Sequence, residues 1–224
     1  MKRGAFALLT CAATFGQLAD EYRPPGRYHA DNEQLKAQGA VAGRVVFLGD
    51  SITDRWRLAQ SFPDKPYVNR GIGGQTVRQM LVRMFPDVID LKPAAMILLA
   101  GTNDIERNSG PATLAQIAGN VQAITELAQG HGIKVILCSV LPVNDYTQRK
   151  QIGKRPPADI LKLNEWLKGY AARVKAVYAD YYSAVVDDKG FLRDGISGDG
   201  LHPNPKGYEI MAPVAEAAIL AALK

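Results

Sequence analysis

Five short, mostly apolar runs divide the sequence from residue 45 onward. They lie at residues 45–48, 66–70, 93–100, 134–141 and 176–181. Apolar runs of about four to eight residues are typical of strands that are covered on both faces of a sheet. We therefore predict five buried β-strands.

Apolar residues recur at helical spacing between these runs. The predicted helices begin at residue 54, at residue 77 with an apolar stripe that reaches Phe85, at residues 111 and 158, and after Pro203 with Asn204 as N-cap. A regular alternation of strand and helix predicts a parallel sheet with helices on both faces and right-handed crossovers. The predicted fold class is α/β, a flavodoxin-like three-layer α/β/α sandwich around a five-stranded parallel sheet.

The 224 residues suit one such domain. Lys2 and Arg3 precede about a dozen uncharged residues and a small residue, a pattern typical of signal peptides. We predict a signal peptide at residues 1–16, a polar N-terminal arm at 17–43 and the domain at 44–224. The protein is then secreted or periplasmic; if the segment is instead an N-terminal helix, it is cytoplasmic. The apolar stretch is too short for a stable membrane span.

Charge and cysteine content exclude several classes of function. The 27 basic and 22 acidic residues give a net charge of +5, but the charges are scattered and no aromatic residues interleave the basic cluster in loop 142–157. We therefore predict no nucleic-acid partner. Cys138 lies in a predicted core strand and Cys11 in the N-terminal segment. This excludes a disulfide framework and a cysteine metal site, and we predict no metal and no cofactor.

Loop 142–157 carries Arg149, Lys150, Lys154 and Arg155. It leaves from the carboxyl end of the fourth predicted strand, where open α/β folds place their sites. Two interpretations stay open: the loop borders the site, or it is a solvated connection.

Three candidate residues follow successive strands. Ser51 comes directly after the first strand, Gly74 after the second and Asn103 after the third. Because the carboxyl ends of parallel strands meet at one edge, these residues are expected to converge. Ser51 could be a nucleophile or a helix cap. Asn103 and the backbone N–H groups of Ser51 and Gly74 could hold an oxyanion, or Gly74 and Asn103 could belong to plain turns.

A base for Ser51 must be sought among His29, His131 and His202. His202 is different from the other two, since Asp199 precedes it by three residues on the loop that leads into the last helix. A tight turn could bring Asp199 to the Nδ1 side of His202 and leave Nε2 facing the serine. Alternatively, Asp199 caps local amides and His202 is merely exposed.

Four segments together resemble the conserved blocks of the SGNH hydrolases, also called GDSL-type lipases or esterases. They are residues 49–52, 69–76, 101–104 and 199–203, in the family's order and approximate spacing. The similarity is greatest to the bacterial branch that is similar to platelet-activating-factor acetylhydrolase. Ile52 stands where the family name has leucine.

This resemblance implies Ser51 as nucleophile, His202 as base and Asp199 as the carboxylate that orients it. It also implies an oxyanion hole made of Ser51, Gly74 and Asn103. The expected activity is that of a serine esterase for short-chain acyl esters, on a small-molecule or carbohydrate substrate. The alternatives are a lysophospholipase or thioesterase, and a non-catalytic carbohydrate-binding module. As a test in the structure, Ser51 Oγ should lie within about 3.5 Å of His202 Nε2.

Overall fold

The computed structural model describes residues 26–148 and 150–224. The predicted signal peptide at residues 1–16 and Cys11 lie outside the described residues, as does Arg149 of the basic loop. Within the described part, no helix is long and apolar enough to cross a membrane.

Five parallel strands form one sheet. They are β1 Val45–Gly49, β2 Tyr67–Gly71, β3 Ala95–Leu99, β4 Lys134–Cys138 and β5 Val177–Ala179, in the order β2-β1-β3-β4-β5. The chain thus moves outward from β1 in both directions, as in doubly wound folds. The predicted flavodoxin-like sheet is confirmed, although most of its strands are shorter than the apolar runs.

Ten α-helices accompany the described sheet. They are α1 His29–Ala37, α2 Ser51–Asp54, α3 Leu58–Ser61, α4 Val77–Val82, α5 Met84–Asp87, α6 Thr102–Ile105, α7 Leu114–Gly130, α8 Pro157–Arg173, α9 Tyr181–Val185 and α10 Pro205–Ala222. Along β1, Val46 and Leu48 face the core under α4, α7 and α8, whereas Val45 and Phe47 face the core under α2 and α10. This two-residue alternation produces the three layers.

Two predicted helices are wrong in their bounds. The helix expected from residue 54 is replaced by the short helices α2 and α3. The helix expected to carry Phe85 in its stripe breaks after Val82, and Phe85 is 51% exposed. Pro86 has no N–H to donate to the carbonyl of Val82, so a continuous helix would lose a bond there. The predicted start of the last helix is confirmed, since Asn204 Oδ1 accepts from Gly207 N at 3.2 Å.

The part of the predicted arm that the structure describes packs on the domain. Asn32 of α1 is buried, and Arg70 of β2 donates to its Oδ1 through Nε at 2.9 Å. The Tyr28 hydroxyl donates to the Gly71 carbonyl at 2.5 Å. Helix α1 therefore contacts the strand that leads into the Gly74 segment.

Candidate active site

Ser51 opens α2 at the carboxyl end of β1. Asp50 caps the helix through Oδ1, which accepts from Ile52 N at 2.9 Å. A Cβ on Gly49 would lie 2.0 Å from Thr53 Oγ1 and 2.8 Å from the Leu99 carbonyl. Only glycine therefore allows the strand to turn this tightly into the helix and present Ser51 at the sheet edge.

Ser51, His202 and Asp199 form one hydrogen-bonded chain. Ser51 Oγ lies 2.9 Å from His202 Nε2, and His202 Nδ1 lies 2.6 Å from Asp199 Oδ2. The expected distance of at most about 3.5 Å between serine and histidine is confirmed. Asp199 Oδ1 accepts from the backbone N–H groups of His202 at 2.8 Å and Leu201 at 3.0 Å. One oxygen of Asp199 thus caps the turn while the other lies against the imidazole. The alternative is right that Asp199 caps local amides and wrong that His202 is merely exposed, since its side chain is only 15% exposed.

The surroundings of His202 favour its neutral form. Burial lowers the pKa of His202, Asp199 opposes that effect, and the nearby charges of Arg55 and Arg155 lower it further. Burial alone would raise the pKa of Asp199, but hydrogen bonds from His202 and Leu201 lower it to about 2. At neutral pH, His202 can therefore accept a proton on Nε2 beside an ionised carboxylate.

Asn103 lies buried in α6, with both ends of its amide engaged. Its Nδ2 donates to the Gln75 carbonyl at 3.0 Å, and its Oδ1 accepts from Asn108 Nδ2 at 3.1 Å. Because Oδ1 is held by Asn108, the NH₂ group is turned toward the Gln75 segment. Nδ2 carries two hydrogens, so one is left for a further acceptor.

Gly73 and Gly74 differ in their surroundings and in their backbone conformation. Gly74 has φ +80°, a conformation that favours glycine, and no described atom lies within 4 Å of its Cβ position. A Cβ on Gly73 would lie 3.7 Å from Ser51 Cβ. Gly73 thus packs against Ser51 at ordinary contact distance, whereas Gly74 is favoured by its backbone angle.

The sequence interpretation missed a buried arginine beneath these segments. Arg83 is fully buried and donates to Gln75 Oε1 at 2.6 Å, to the Gly49 carbonyl at 3.0 Å and to Asp87 Oδ2 at 2.9 Å. It thereby ties the end of β1 to the residue whose carbonyl holds Asn103. An arginine in an amphipathic segment is ordinarily exposed, so nothing in the local pattern pointed to this role.

Loop 142–157 borders the site, and the interpretation as a solvated connection is wrong for Gln151 and Arg155, which are buried. Asp145 folds the loop back because its Oδ1 accepts from Gln151 N at 2.6 Å and Ile152 N at 3.0 Å. Gln151 Nε2 then donates to the Asp199 carbonyl at 3.4 Å.

The other candidates lie elsewhere. His29 and His131 are exposed, and His131 Nδ1 lies 2.8 Å from the Leu127 carbonyl in the helix that precedes it. Cys138 is buried in β4, and burial raises the pKa of its thiol. Among the described residues, no group of three or more His, Cys, Asp or Glu side chains could hold a metal ion.

An open cleft of about 580 Å³ lies next to the turn that carries His202, because Pro203 is part of its lining, but neither Ser51 nor His202 lines it. Its lining includes Arg55, Pro203 and Tyr208. Tyr208 also donates its hydroxyl to the Ile52 carbonyl at 2.7 Å, which joins α10 to α2. The cleft therefore lies between the α2–α3 segment and the start of α10.

Comparison with known proteins agrees with this geometry. Residues 47–210 match the model of the GDSL-like Lipase/Acylhydrolase family. A GDSL-like lipase from Bacteroides thetaiotaomicron is 39% identical, with a TM-score of 0.80 and coverage of 88% of this chain and 97% of that chain. Esterase TesA of Pseudomonas aeruginosa is 28% identical over 191 residues, which are 75% of this chain and 84% of the relative. A catalytic mutant of an acetylxylan esterase from Geobacillus stearothermophilus shares the fold at 21% identity, with a TM-score of 0.64 over 80% of this chain and 95% of that one.

Proposed function

The chain belongs to the GDSL-like lipase/acylhydrolase family and is a carboxylic ester hydrolase, and we propose that it works through an acyl-enzyme formed on Ser51. The observation that carries this proposal is the chain from Ser51 Oγ to His202 Nε2 at 2.9 Å and from His202 Nδ1 to Asp199 Oδ2 at 2.6 Å. A nucleophile, its base and the group that orients the base are all within hydrogen-bond reach. A non-catalytic binding module would not need this arrangement.

In the proposed reaction, Ser51 Oγ attacks the acyl carbonyl while His202 Nε2 accepts its proton. Asp199 stabilises the imidazolium that forms. The developing oxyanion takes hydrogen bonds from Asn103 Nδ2 and from the backbone N–H groups of Ser51 and Gly74. His202 then protonates the leaving alcohol, activates a water molecule, and returns the proton to Ser51 as the acyl group is released.

Short acyl esters on polar alcohols are the proposed substrates. The proposal is supported by the fold that this chain shares with an acetylxylan esterase from Geobacillus stearothermophilus. This likeness favours an acetyl esterase over a lysophospholipase or thioesterase, and a series of acyl chain lengths tests the preference.

The test compares wild type with Ser51→Ala on p-nitrophenyl acetate. We expect the variant to lose at least about 10³-fold in kcat while it binds the ester as before, because the nucleophile is gone. A fluorophosphonate probe should label wild type and not the variant. Equal rates of hydrolysis would refute the acyl-enzyme on Ser51. A series of acetate, butyrate and octanoate esters, together with acetylated xylan, then tests the acyl preference; faster turnover of octanoate would exclude it.

A further inference from the structure

Arg155 is a buried cation that the proposed reaction does not use. It is 2% exposed, and all three nitrogens of its guanidinium are bound. Nε donates to Thr102 Oγ1 at 3.0 Å, Nη1 donates to Gln151 Oε1 at 2.7 Å, and Nη2 pairs with the Glu106 carboxylate. Burying a guanidinium costs several kcal/mol unless its partners are well placed. The three hydrogen-bonded partners of Arg155 offset this cost, so its burial indicates a role for these directional bonds.

The partners of Arg155 lie on two sides of the candidate active site. Thr102 directly precedes Asn103 in α6, and Glu106 caps the same helix. Gln151 donates its Nε2 to the Asp199 carbonyl at 3.4 Å. A continuous path thus runs from the turn that carries the oxyanion donor to the turn that carries the base. The path crosses the site through side chains of the basic loop alone.

The charge of Arg155 also reaches the base. Its effect on His202 adds to those of burial and Arg55, which favour the neutral ring, whereas Asp199 favours the protonated ring. Arg155 acts in addition on Asp50, the buried residue before the nucleophile, where its charge opposes the rise in pKa that burial causes. Since arginine stays protonated at all ordinary pH values, this influence is permanent.

We propose that Arg155 is a positioning residue of the ester hydrolase, which clamps the Asn103 turn to the Asp199–His202 turn through Gln151. The clamp holds the oxyanion donor and the base at one separation. This inference rests on the proposed function of Ser51, Asn103 and His202. Misplacing a catalytic group by about 1 Å costs roughly 100-fold in rate, which sets the size of effect to look for.

The test uses Arg155→Met and Arg155→Lys, with Lys154→Met as matched control. Lys154 is the neighbouring cation and pairs with the same Glu106 at 3.1 Å, but its side chain is 58% exposed and makes no described hydrogen bond to Thr102 or Gln151. Its backbone N–H donates to the Gln151 carbonyl at 3.0 Å, a bond that the substitution keeps. The measurements are kcat and KM on p-nitrophenyl acetate from pH 5 to pH 9, and Tm.

We expect Arg155→Met to lower kcat about 100-fold with KM changed less than about threefold, and to move the acid limb of kcat/KM to higher pH. The limb moves because a cation that opposes protonation of His202 is lost. Arg155→Lys keeps the charge but not the planar fork, so its limb should stay in place while kcat still falls. A role in stability alone would lower Tm without moving the limb.

If Arg155→Met does not fold, Gln151→Met supplies the same test, since it removes the link to Asp199 and leaves Arg155 bound to Thr102 and Glu106. We expect at least about a tenfold loss of kcat in that variant. Folded Arg155 and Gln151 variants with kcat within about threefold of Lys154→Met would overturn the clamp. Ser51→Ala is assayed beside them: if it is inactive while the clamp variants match the control, only this inference fails, and if it is fully active, the proposed function fails.

Discussion

Replacing Asp199 by asparagine should move the ring proton of His202 to Nε2, so that His202 can no longer accept a proton from Ser51. Asp199 Oδ1 accepts from the N–H groups of Leu201 and His202 at 3.0 and 2.8 Å and from Ser197 Oγ at 3.3 Å. These donors would hold the amide oxygen of the variant in the same place. The NH₂ group then lies where Oδ2 was, 2.6 Å from His202 Nδ1. Nδ1 must become the acceptor, which moves the ring proton to Nε2, facing Ser51 Oγ, where no proton can be accepted.

The expected fall in kcat follows from the free-energy cost of the alternative arrangement that restores the active tautomer of His202. The enzyme can flip the introduced side-chain amide so that its oxygen meets His202 Nδ1. That leaves the N–H groups of Leu201 and His202 facing an NH₂ group, and each unpaired donor costs about 1–3 kcal/mol. Two such losses amount to about 2–6 kcal/mol, which corresponds to a fall in kcat of roughly 30-fold to 10⁴-fold.

The assay is steady-state hydrolysis of p-nitrophenyl acetate at about pH 8, where His202 is neutral in both proteins. Asp194→Asn is the matched control, because Asp194 is exposed in the same loop and its Oδ1 accepts only from Gly195 N in the described structure, at 2.8 Å. We expect the control to keep wild-type kcat. If Asp199→Asn stays within about threefold of that control at unchanged Tm, His202 does not depend on Asp199 for its tautomer, and the reasoning is refuted.

Two further predictions concern pH. Burial raises the pKa of Asp50 to about 7, whereas an unfolded aspartate ionises near pH 4, so wild type should lose stability as pH rises from about 4 to about 7. Asp50→Asn keeps an acceptor for Ile52 N and should reduce this loss of stability, measured as the difference between the free energies of unfolding in urea at pH 5 and pH 8. If the variant loses as much stability as wild type between these pH values, Asp50 is not the cause. Arg55→Gln removes a cation that lowers the pKa of His202, so the acid limb of kcat/KM should move to higher pH, and a limb that stays or moves down would contradict the assignment.

The strands were predictable because their signal is local. Each run is mostly apolar, and in β1 every residue is buried, as a central strand of a covered sheet requires. The break between α4 and α5 was not predicted, although Pro86, which cannot donate a helical hydrogen bond, indicates it in the sequence. Arg83 is buried at that break because of tertiary contacts, since its partners include the Gly49 carbonyl, 34 residues away in the chain. No periodicity in a single segment reports such a partner.

The candidate site divides in the same way. Ser51 and His202 carry recognisable short motifs, so the sequence was sufficient to place them at one sheet edge. Arg155 and Gln151 stand in a basic loop whose composition is that of a solvated connection. The bonds that the Gln151 and Ile152 amides donate to Asp145, together with the burial of Gln151 and Arg155, show that the loop turns inward.

Two buried arginines, Arg83 and Arg155, bind segments that carry candidate site residues, and their chemistry explains why arginine is used there. Arg83 joins Gly49 to Gln75 below the nucleophile, and it shares Asp87 with Asn32 of α1, whose Nδ2 donates to Asp87 Oδ1 at 2.7 Å. Apolar packing is non-directional and would leave the separation of these segments free to vary. A guanidinium presents donors in a rigid plane, so it sets direction as well as distance. The hydrogen bonds of each arginine offset its desolvation cost. They also hold turns from different strands in one geometry, which is what an oxyanion site requires.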